Sequence, residues 1–169
     1  ERKKIIIKLP CLLEEAKEFA VPFHNKIIRF IKKVLLEKPP QKQTLSDKIN
    51  HHINEKCDRI IRLSCMRSIR VIGSDLANNL DEIAELTEII LSQLNDNLHP
   101  NFQIEVANTL RSIFRFVDVL HQTNLNILNF QMEMMRFSHS TDNPEVIDAF
   151  IRLFGTIGPL DPYKFHDSK

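Results

Sequence analysis

The spacing of apolar residues predicts a helix over residues 11–37. Apolar side chains recur there at steps of three and four, the period of a helix with one buried face. The predicted buried positions are Leu12, Ala16, Phe19, Phe23, Ile27, Phe30, Ile31 and Val34. Pro22 interrupts the run, because proline lacks a backbone donor and disfavours helix at the residue before it. We therefore expect a kink there or two shorter helices, ended by Pro39 and Pro40.

A second periodic run covers residues 45–94 without a proline, and Thr44 or Ser46 can cap its start. One straight helix of that length would measure about 75 Å, whereas a compact domain of this size is about 40 Å across. Either the domain is elongated or the helix breaks. The sequence Gly-Ser-Asp at 73–75 joins a helix-ending glycine to two good N-cap residues, so we predict the break there.

The last third of the chain predicts two more helices, at 102–137 and 144–154. The stripe of the longer one comprises Val106, Leu110, Ile113, Val117, Leu120, Leu128 and Met135. Its middle is weakened by His121, Asn124 and Asn126, so a bend can form there. The sequence Asn-Pro-Glu at 143–145 supplies a cap, a proline at the first position and an acid in the first turn of the shorter helix. The buried face predicted for it comprises Val146, Ile147, Phe150, Ile151 and Phe154, with Gly155 as its end.

Together these elements predict an all-α fold, an elongated antiparallel bundle of about five helices. Apolar residues make up 43% of the chain and charged residues 27%, the balance of a globular domain with one core. The 3 glycines are too few for the turns and phosphate loops of an all-β or dinucleotide-binding fold. We divide the chain into a basic N-terminal extension at 1–10, a helical bundle domain at 11–155 and an irregular C-terminal tail at 156–169.

The cysteine and asparagine patterns favour an intracellular location, cytoplasmic or nuclear. Cys11, Cys57 and Cys65 are odd in number and lack the spacing of a disulfide framework. No Asn-x-Ser/Thr glycosylation sequence occurs, no apolar run approaches the roughly 18 residues of a membrane helix, and no signal peptide is visible. Because the chain opens at Glu1 rather than at Met, we expect a piece of a longer protein or a processed one.

Charge is distributed very unevenly along the chain. Residues 1–72 contain 17 Lys and Arg against 8 Asp and Glu, whereas residues 73–110 contain 7 acidic residues and no Lys or Arg. Such asymmetry can mark a surface for an anionic partner, nucleic acid or an anionic membrane. The candidate anion-binding residues are Lys26, Arg29, Lys33, Arg59, Arg62, Arg67 and Arg70. The plainer interpretation is that the basic and acidic helices pair with each other, and the chain shows no nucleic-acid-binding motif.

Metal binding is not predicted. Structural zinc needs two close pairs of ligands. Cys57 and Cys65 are two helical turns apart, and the adjacent His51 and His52 point about 100° apart on a helix. The two cysteines are more simply explained as small buried apolar residues.

No catalytic residue or cofactor is predicted either. His121 lies on an apolar stripe, where a histidine hydrogen-bonded to a neighbour is the simpler interpretation. Glu82, Glu85 and Glu88 lack the Glu-x-x-His partners of a di-iron bundle and are interpreted as a solvated face. We therefore do not expect an enzyme.

Phenylalanine and methionine cluster in the last third of the chain. Phe116, Phe130 and Met134 fall off the main stripe of the helix predicted at 102–137. Apolar residues on a second helix face indicate burial on two sides or an exposed binding patch. The candidate partner-binding groove comprises Phe116, Phe130, Met134, Phe150 and Phe154. The alternative is that the helix at 144–154 folds back over these residues and makes them ordinary core.

The sequence therefore favours a protein–protein interaction module, a scaffold or adaptor within a larger intracellular protein. The predicted partner is a helix or peptide of another protein held in the apolar groove, or a second copy of this chain. The alternative is a binder of nucleic acid or an anionic membrane surface through residues 1–72. No small-molecule substrate is inferred.

Overall fold

A computed structural model describes residues 1–37, 47–76, 79–96, 99–117 and 127–158, and every regular element in these ranges is helical. The all-α fold class is therefore confirmed. The described residues form seven α-helices: α1 Arg2–Ala16, α2 His24–Leu36, α3 Asp47–Leu76, α4 Leu80–Asp96, α5 Pro100–Phe114, α6 Ile127–His139 and α7 Pro144–Ile157. The proposed caps Thr44 and Ser46, the pair Pro39 and Pro40, and His121, Asn124 and Asn126 lie outside the described residues.

The chain divides into two compact units, residues 1–71 (unit 1) and 72–169 (unit 2). In unit 1, α1 starts at Arg2, so the expectation that helix begins at residue 11 is wrong and the basic segment at 1–10 is helical. Ile6, Pro10 and Leu13 are buried at steps of four and three, which gives α1 a buried face of its own.

Pro22 separates α1 from α2, as predicted. A 3₁₀ helix at Lys17–Phe23, here called the 3₁₀ turn, joins them. The guanidinium of Arg2, at the start of α1, lies 2.8 Å from the carboxylate of Glu37, just past the end of α2. The same guanidinium lies 5.5 Å from the centre of the Phe30 ring. α1 and α2 are therefore an antiparallel hairpin closed by the 3₁₀ turn.

The run at 45–94 is divided into two helices, as predicted, but the division falls after 73–75, because α3 continues to Leu76 and α4 begins at Leu80. Gly73 is buried within the helix between the apolar residues Ile72 and Leu76, both also buried. The helical cost of one glycine, about 1 kcal/mol, is smaller than the gain from burying its neighbours. Asn79 starts the next helix, and its side-chain oxygen accepts from the backbone N–H of Glu82 at 3.2 Å.

In unit 2, the helix predicted at 102–137 is not continuous. α5 ends at Phe114, a turn follows at 115–116, and α6 starts at Ile127. α5 packs against α4 and along α7, and α6 also packs against α7. The buried side chains of α5 include Phe102, Val106, Leu110 and Phe114.

α7 starts where predicted. The side-chain oxygen of Asn143 accepts from the backbone N–H groups of Glu145 at 3.0 Å and Val146 at 3.3 Å, which confirms the cap. The proposed end at Gly155 is wrong, because the helix runs to Ile157. Its buried face comprises Val146, Ala149, Phe150, Leu153 and Ile157, whereas Ile151 is 61% exposed.

Candidate interaction surfaces

The predicted partner groove is largely core. Phe130, Met134 and Phe150 are at most 1% exposed, and Phe154 is half-buried. The ring centres of Phe114 and Phe130 lie 5.3 Å apart in a tilted aromatic pair. α7 packs against both α5 and α6, so the burial of Phe130, Met134 and Phe150 agrees with the alternative in which the last helix folds back, whereas Phe116 is not covered. Of the five groove residues, Phe116 alone is an exposed side chain, at 44%.

The apolar surface of α6 lies on its other side. Phe130, Met134 and Phe137 are buried at steps of four and three, and that stripe faces the core of unit 2. Met132 and Met135 lie roughly opposite at about 100° per residue, and they are 62% and 54% exposed. We call Met132 and Met135 the methionine face. The prediction that Met135 belongs to the buried stripe is wrong.

Polar contacts surround the methionine face. Arg136 forms an ion pair with Glu133 at 2.9 Å and stacks its guanidinium 4.9 Å from the centre of the Phe137 ring. The Nδ1 of His139 lies 2.8 Å from the carbonyl oxygen of Met135. An apolar strip bordered by polar groups can accept an apolar side chain of a partner whose surrounding groups are polar.

The proposed anion-binding residues divide into exposed and buried members. Lys26, Arg29 and Lys33 of α2 are exposed, and steps of three and four put them on one side of the helix. On α3, Arg67 and Arg70 are exposed and Arg59 is half-buried. These six meet the first requirement of an anion-binding surface, access to solvent.

Arg62 is a correction to that set, because it is 7% exposed and serves the fold. Its Nε lies 2.7 Å from Asp58 Oδ2, its Nη1 donates to the Leu35 carbonyl at 3.0 Å, and its Nη2 donates to the Glu37 carbonyl at 2.9 Å. Basic residues near a helix C-terminus satisfy its last carbonyls. Arg62 thus ties α3 to the end of α2 and is not available to an external anion.

The three cysteines are free thiols in different surroundings. Cys11 is exposed, Cys57 is half-buried and Cys65 is fully buried. Burial raises the pKa of the Cys65 thiol to about 12, against a smaller lowering by Arg62. Cys65 is therefore protonated at neutral pH, which fits the interpretation of a small apolar core residue.

Phe19, which the sequence pattern places in the core, is the most exposed large apolar residue among those that the structure describes. Phe19 is 88% exposed, Phe23 is 54% exposed and Leu12 is 50% exposed. The 3₁₀ turn changes the rotation per residue, so the phase of α1 does not carry into α2. In α2 the predicted Ile31 and Val34 are buried, and Ile28 and Leu35 are buried in addition. An apolar stripe that is extended through Pro22 with a constant α-helical rotation per residue cannot predict this change in rotation.

An open groove of about 480 Å³ lies between α5 and α7. Its lining comprises Ile104, Asn108, Arg111, Pro144, Glu145, Asp148, Ala149 and Arg152. Arg152 and Asp148 pair at 2.7 Å across one helical turn, and Arg111 donates to the Thr156 hydroxyl at 3.3 Å. The two arginines are thus held by groups of unit 2.

Within the described ranges, no three His, Cys, Asp or Glu side chains are grouped so that they could hold a metal ion. Among those same residues, no helix is long and apolar enough to cross a bilayer. Comparison of the chain with protein-family models, with curated proteins and with solved structures gives no match. The assignment of function therefore rests on the surfaces of this chain.

Proposed function

We propose that this chain is a protein-interaction module that binds a helical or peptide segment of another protein on the methionine face of α6. The observation that carries this proposal is the division of α6 into two apolar sides. Phe130, Met134 and Phe137 hold the helix to unit 2, while Met132 and Met135 are more than half exposed. A helix that is apolar on two sides has a second surface to cover.

The chemistry of methionine suits this role. Its side chain is unbranched and polarizable, so it adapts to partner side chains of different shape. Met132 and Met135 are three residues apart and adjacent on the helix surface, which matches the spacing by which an amphipathic partner helix presents anchors. Arg136 at the border forms an ion pair with Glu133, so the apolar anchors of the partner, rather than its charge, determine binding to this face.

The test is affinity capture with the full chain, performed with nuclease present so that nucleic acid cannot bridge. A protein bound by the unmodified chain should be lost from a Met132→Ser/Met135→Ser variant. The matched control is Ile151→Ser, which removes an equally exposed apolar side chain from the same unit (61% exposed). Circular dichroism and thermal unfolding verify that both variants fold.

The proposal requires direct binding as well as capture. A purified captured protein should bind the unmodified chain in isothermal titration and should bind the methionine variant at least about 10-fold more weakly, as loss of two central apolar contacts implies. Equal binding by both forms would overturn it. Concentration-dependent sedimentation that the same variant abolishes would identify a second copy of this chain as the occupant.

A further inference from the structure

At the closed end of the α1–α2 hairpin, a small residue is buried while its larger apolar neighbours are exposed. Ala20 is buried at 7% exposure, whereas its neighbours Phe19 and Val21 are 88% and 48% exposed. Phe23 is 54% exposed, and we call Phe19, Val21 and Phe23 the apolar tip. Proteins normally bury large apolar residues in preference to small ones, and grouped exposure of this kind marks a binding surface.

The position of the apolar tip indicates what it can enter. Arg2 and Glu37 bond to each other at the open end of the hairpin, so the 3₁₀ turn lies at the opposite, closed end. A phenylalanine that is 88% exposed on such a turn projects outward and forms no groove for a partner helix. Aromatic and branched side chains that project outward can insert into the boundary between headgroups and acyl chains of a bilayer.

A cationic surface adjoins the apolar tip along α2. Lys26, Arg29 and Lys33 share one exposed side and span about 10.5 Å along the helix axis. No acidic residue occurs in His24–Leu36, so nothing on this helix offsets their charge. Glu14 and Glu15 near the end of α1 and Glu18 within the 3₁₀ turn are exposed, so the apolar tip has carboxylates on its α1 side and the three cations on its α2 side.

Cations beside inserted apolar residues are the combination that anionic bilayers bind. We propose that the apolar tip and the cationic side of α2 dock this chain on an anionic lipid bilayer. Phe19 and Phe23 insert at headgroup level, and Lys26, Arg29 and Lys33 lie against the lipid phosphates and carboxylates. This site is on unit 1 and is independent of the methionine face on unit 2.

Vesicle co-sedimentation with the full chain tests the proposal. Binding should be clear with phosphatidylcholine–phosphatidylserine vesicles at low salt, and weak with phosphatidylcholine alone or at high salt. Lys26→Gln/Arg29→Gln/Lys33→Gln should weaken partitioning about 100-fold, from the contribution of three basic residues near an anionic surface. Phe19→Ser/Phe23→Ser should weaken it at least about 10-fold. The control Ile151→Ser should leave it unchanged.

Insertion can be observed directly, because the chain contains no tryptophan. Phe19→Trp places a single reporter at the apolar tip, and its emission should shift to the blue and be quenched by brominated lipid when anionic vesicles are added. Phe116→Trp places the reporter on an exposed residue of unit 2 (44% exposed) and should show neither change.

Three results would overturn the proposal. One is absence of binding to anionic vesicles at low salt, and another is binding that survives the Phe19→Ser/Phe23→Ser change. The third is binding to duplex DNA or to RNA that needs the α2 cations while vesicles are not bound, which would assign this surface to nucleic acid.

Discussion

Arg62 of α3 donates a hydrogen bond from Nη1 to the carbonyl oxygen of Leu35, at 3.0 Å, where α2 ends. The last carbonyls of a helix have no partner within it. Arg62 also donates to the carbonyl of Glu37, the residue after α2, at 2.9 Å, so one buried side chain serves a helix carbonyl and the carbonyl that follows it. A guanidinium at a helix C-terminus is favoured in addition by the helix dipole. This cation therefore holds α2 and α3 together within unit 1.

We predict that Arg62→Met destabilises the protein by about 2–3 kcal/mol, because it removes the Arg62 donors to the buried Leu35 carbonyl and the part-buried Glu37 carbonyl while retaining most of the side-chain volume. Urea unfolding followed by circular dichroism measures the change. The control is Arg29→Met, an exposed site where the change should stay within about 0.5 kcal/mol. Equal effects at the two positions would contradict the structural role of Arg62.

The sequence could predict the helices but not the rotation of each helix about its axis. The predicted apolar stripe from Val106 to Met135 requires one continuous helix. In the structure α5 ends at Phe114 and α6 starts at Ile127. A helical phase cannot be extended across a break, because each residue outside the helix adds an unknown rotation. For this reason the sequence pattern places Met135 in the buried stripe and Phe130 and Met134 outside it, the reverse of their positions in the structure.

The burial of Phe130 on α6 changes the expected effect of its substitution, whereas the exposure of Phe116 leaves the expectation for that residue unchanged. Phe130 is 1% exposed and forms a tilted aromatic pair with Phe114, so Phe130→Ala should lower the free energy of unfolding by about 3–5 kcal/mol. Phe116 is 44% exposed in the turn after α5, so Phe116→Ala should cost less than about 1 kcal/mol. Thermal unfolding should show a large decrease in Tm for the first variant alone. If Tm is nearly unchanged in both variants, these residues are exposed, as the predicted groove requires.

Lys17 provides a test of the 3₁₀ turn. It has φ 45° and ψ −122°, and it is the one non-glycine residue with positive φ among the described residues. A side chain in that conformation costs on the order of 1–3 kcal/mol, which glycine avoids. Lys17→Gly should therefore stabilise the protein by about 1 kcal/mol in urea unfolding. This value is the strain relieved less the cost of the greater conformational entropy that glycine gives the unfolded chain. Lys17→Ala removes the charge and keeps the Cβ, so it should give no such gain.

The cysteines should differ in their reaction with thiol reagents. The thiolate is the reactive form, and burial raises the pKa of Cys65 to about 12 from 9.0. Near neutral pH, Cys11 should react at once and Cys65 only after unfolding, which labelling of the single-cysteine variants can measure. Because the folded state retains this proton where the unfolded state loses it, the contribution of Cys65 to stability should decrease as pH rises from 9.0 towards about 12. Rapid labelling of Cys65 in the folded protein would contradict its burial.

Gly73 carries a local sequence signal for the end of a helix, yet α3 continues past it. A glycine followed by two capping residues commonly ends a helix, but Ile72 and Leu76 on either side are buried, and burial stabilises the continued helix. A Cβ at position 73 would lie 3.4 Å from the carbonyl oxygen and 3.4 Å from the hydroxyl oxygen of Ser112, which is ordinary contact distance. The space around Gly73 therefore does not require glycine.

Gly73→Ala should accordingly stabilise the protein by about 0.5–1 kcal/mol, since alanine reduces the freedom of the unfolded chain and is favoured inside helices. The measurement is the urea midpoint at constant m-value. Gly73→Val serves as the control, because its two additional methyl groups must press on Ser112 and should reverse the gain. If Gly73→Ala instead destabilises the protein by more than about 1 kcal/mol, Ser112 does not accommodate a Cβ at position 73 and the prediction is wrong.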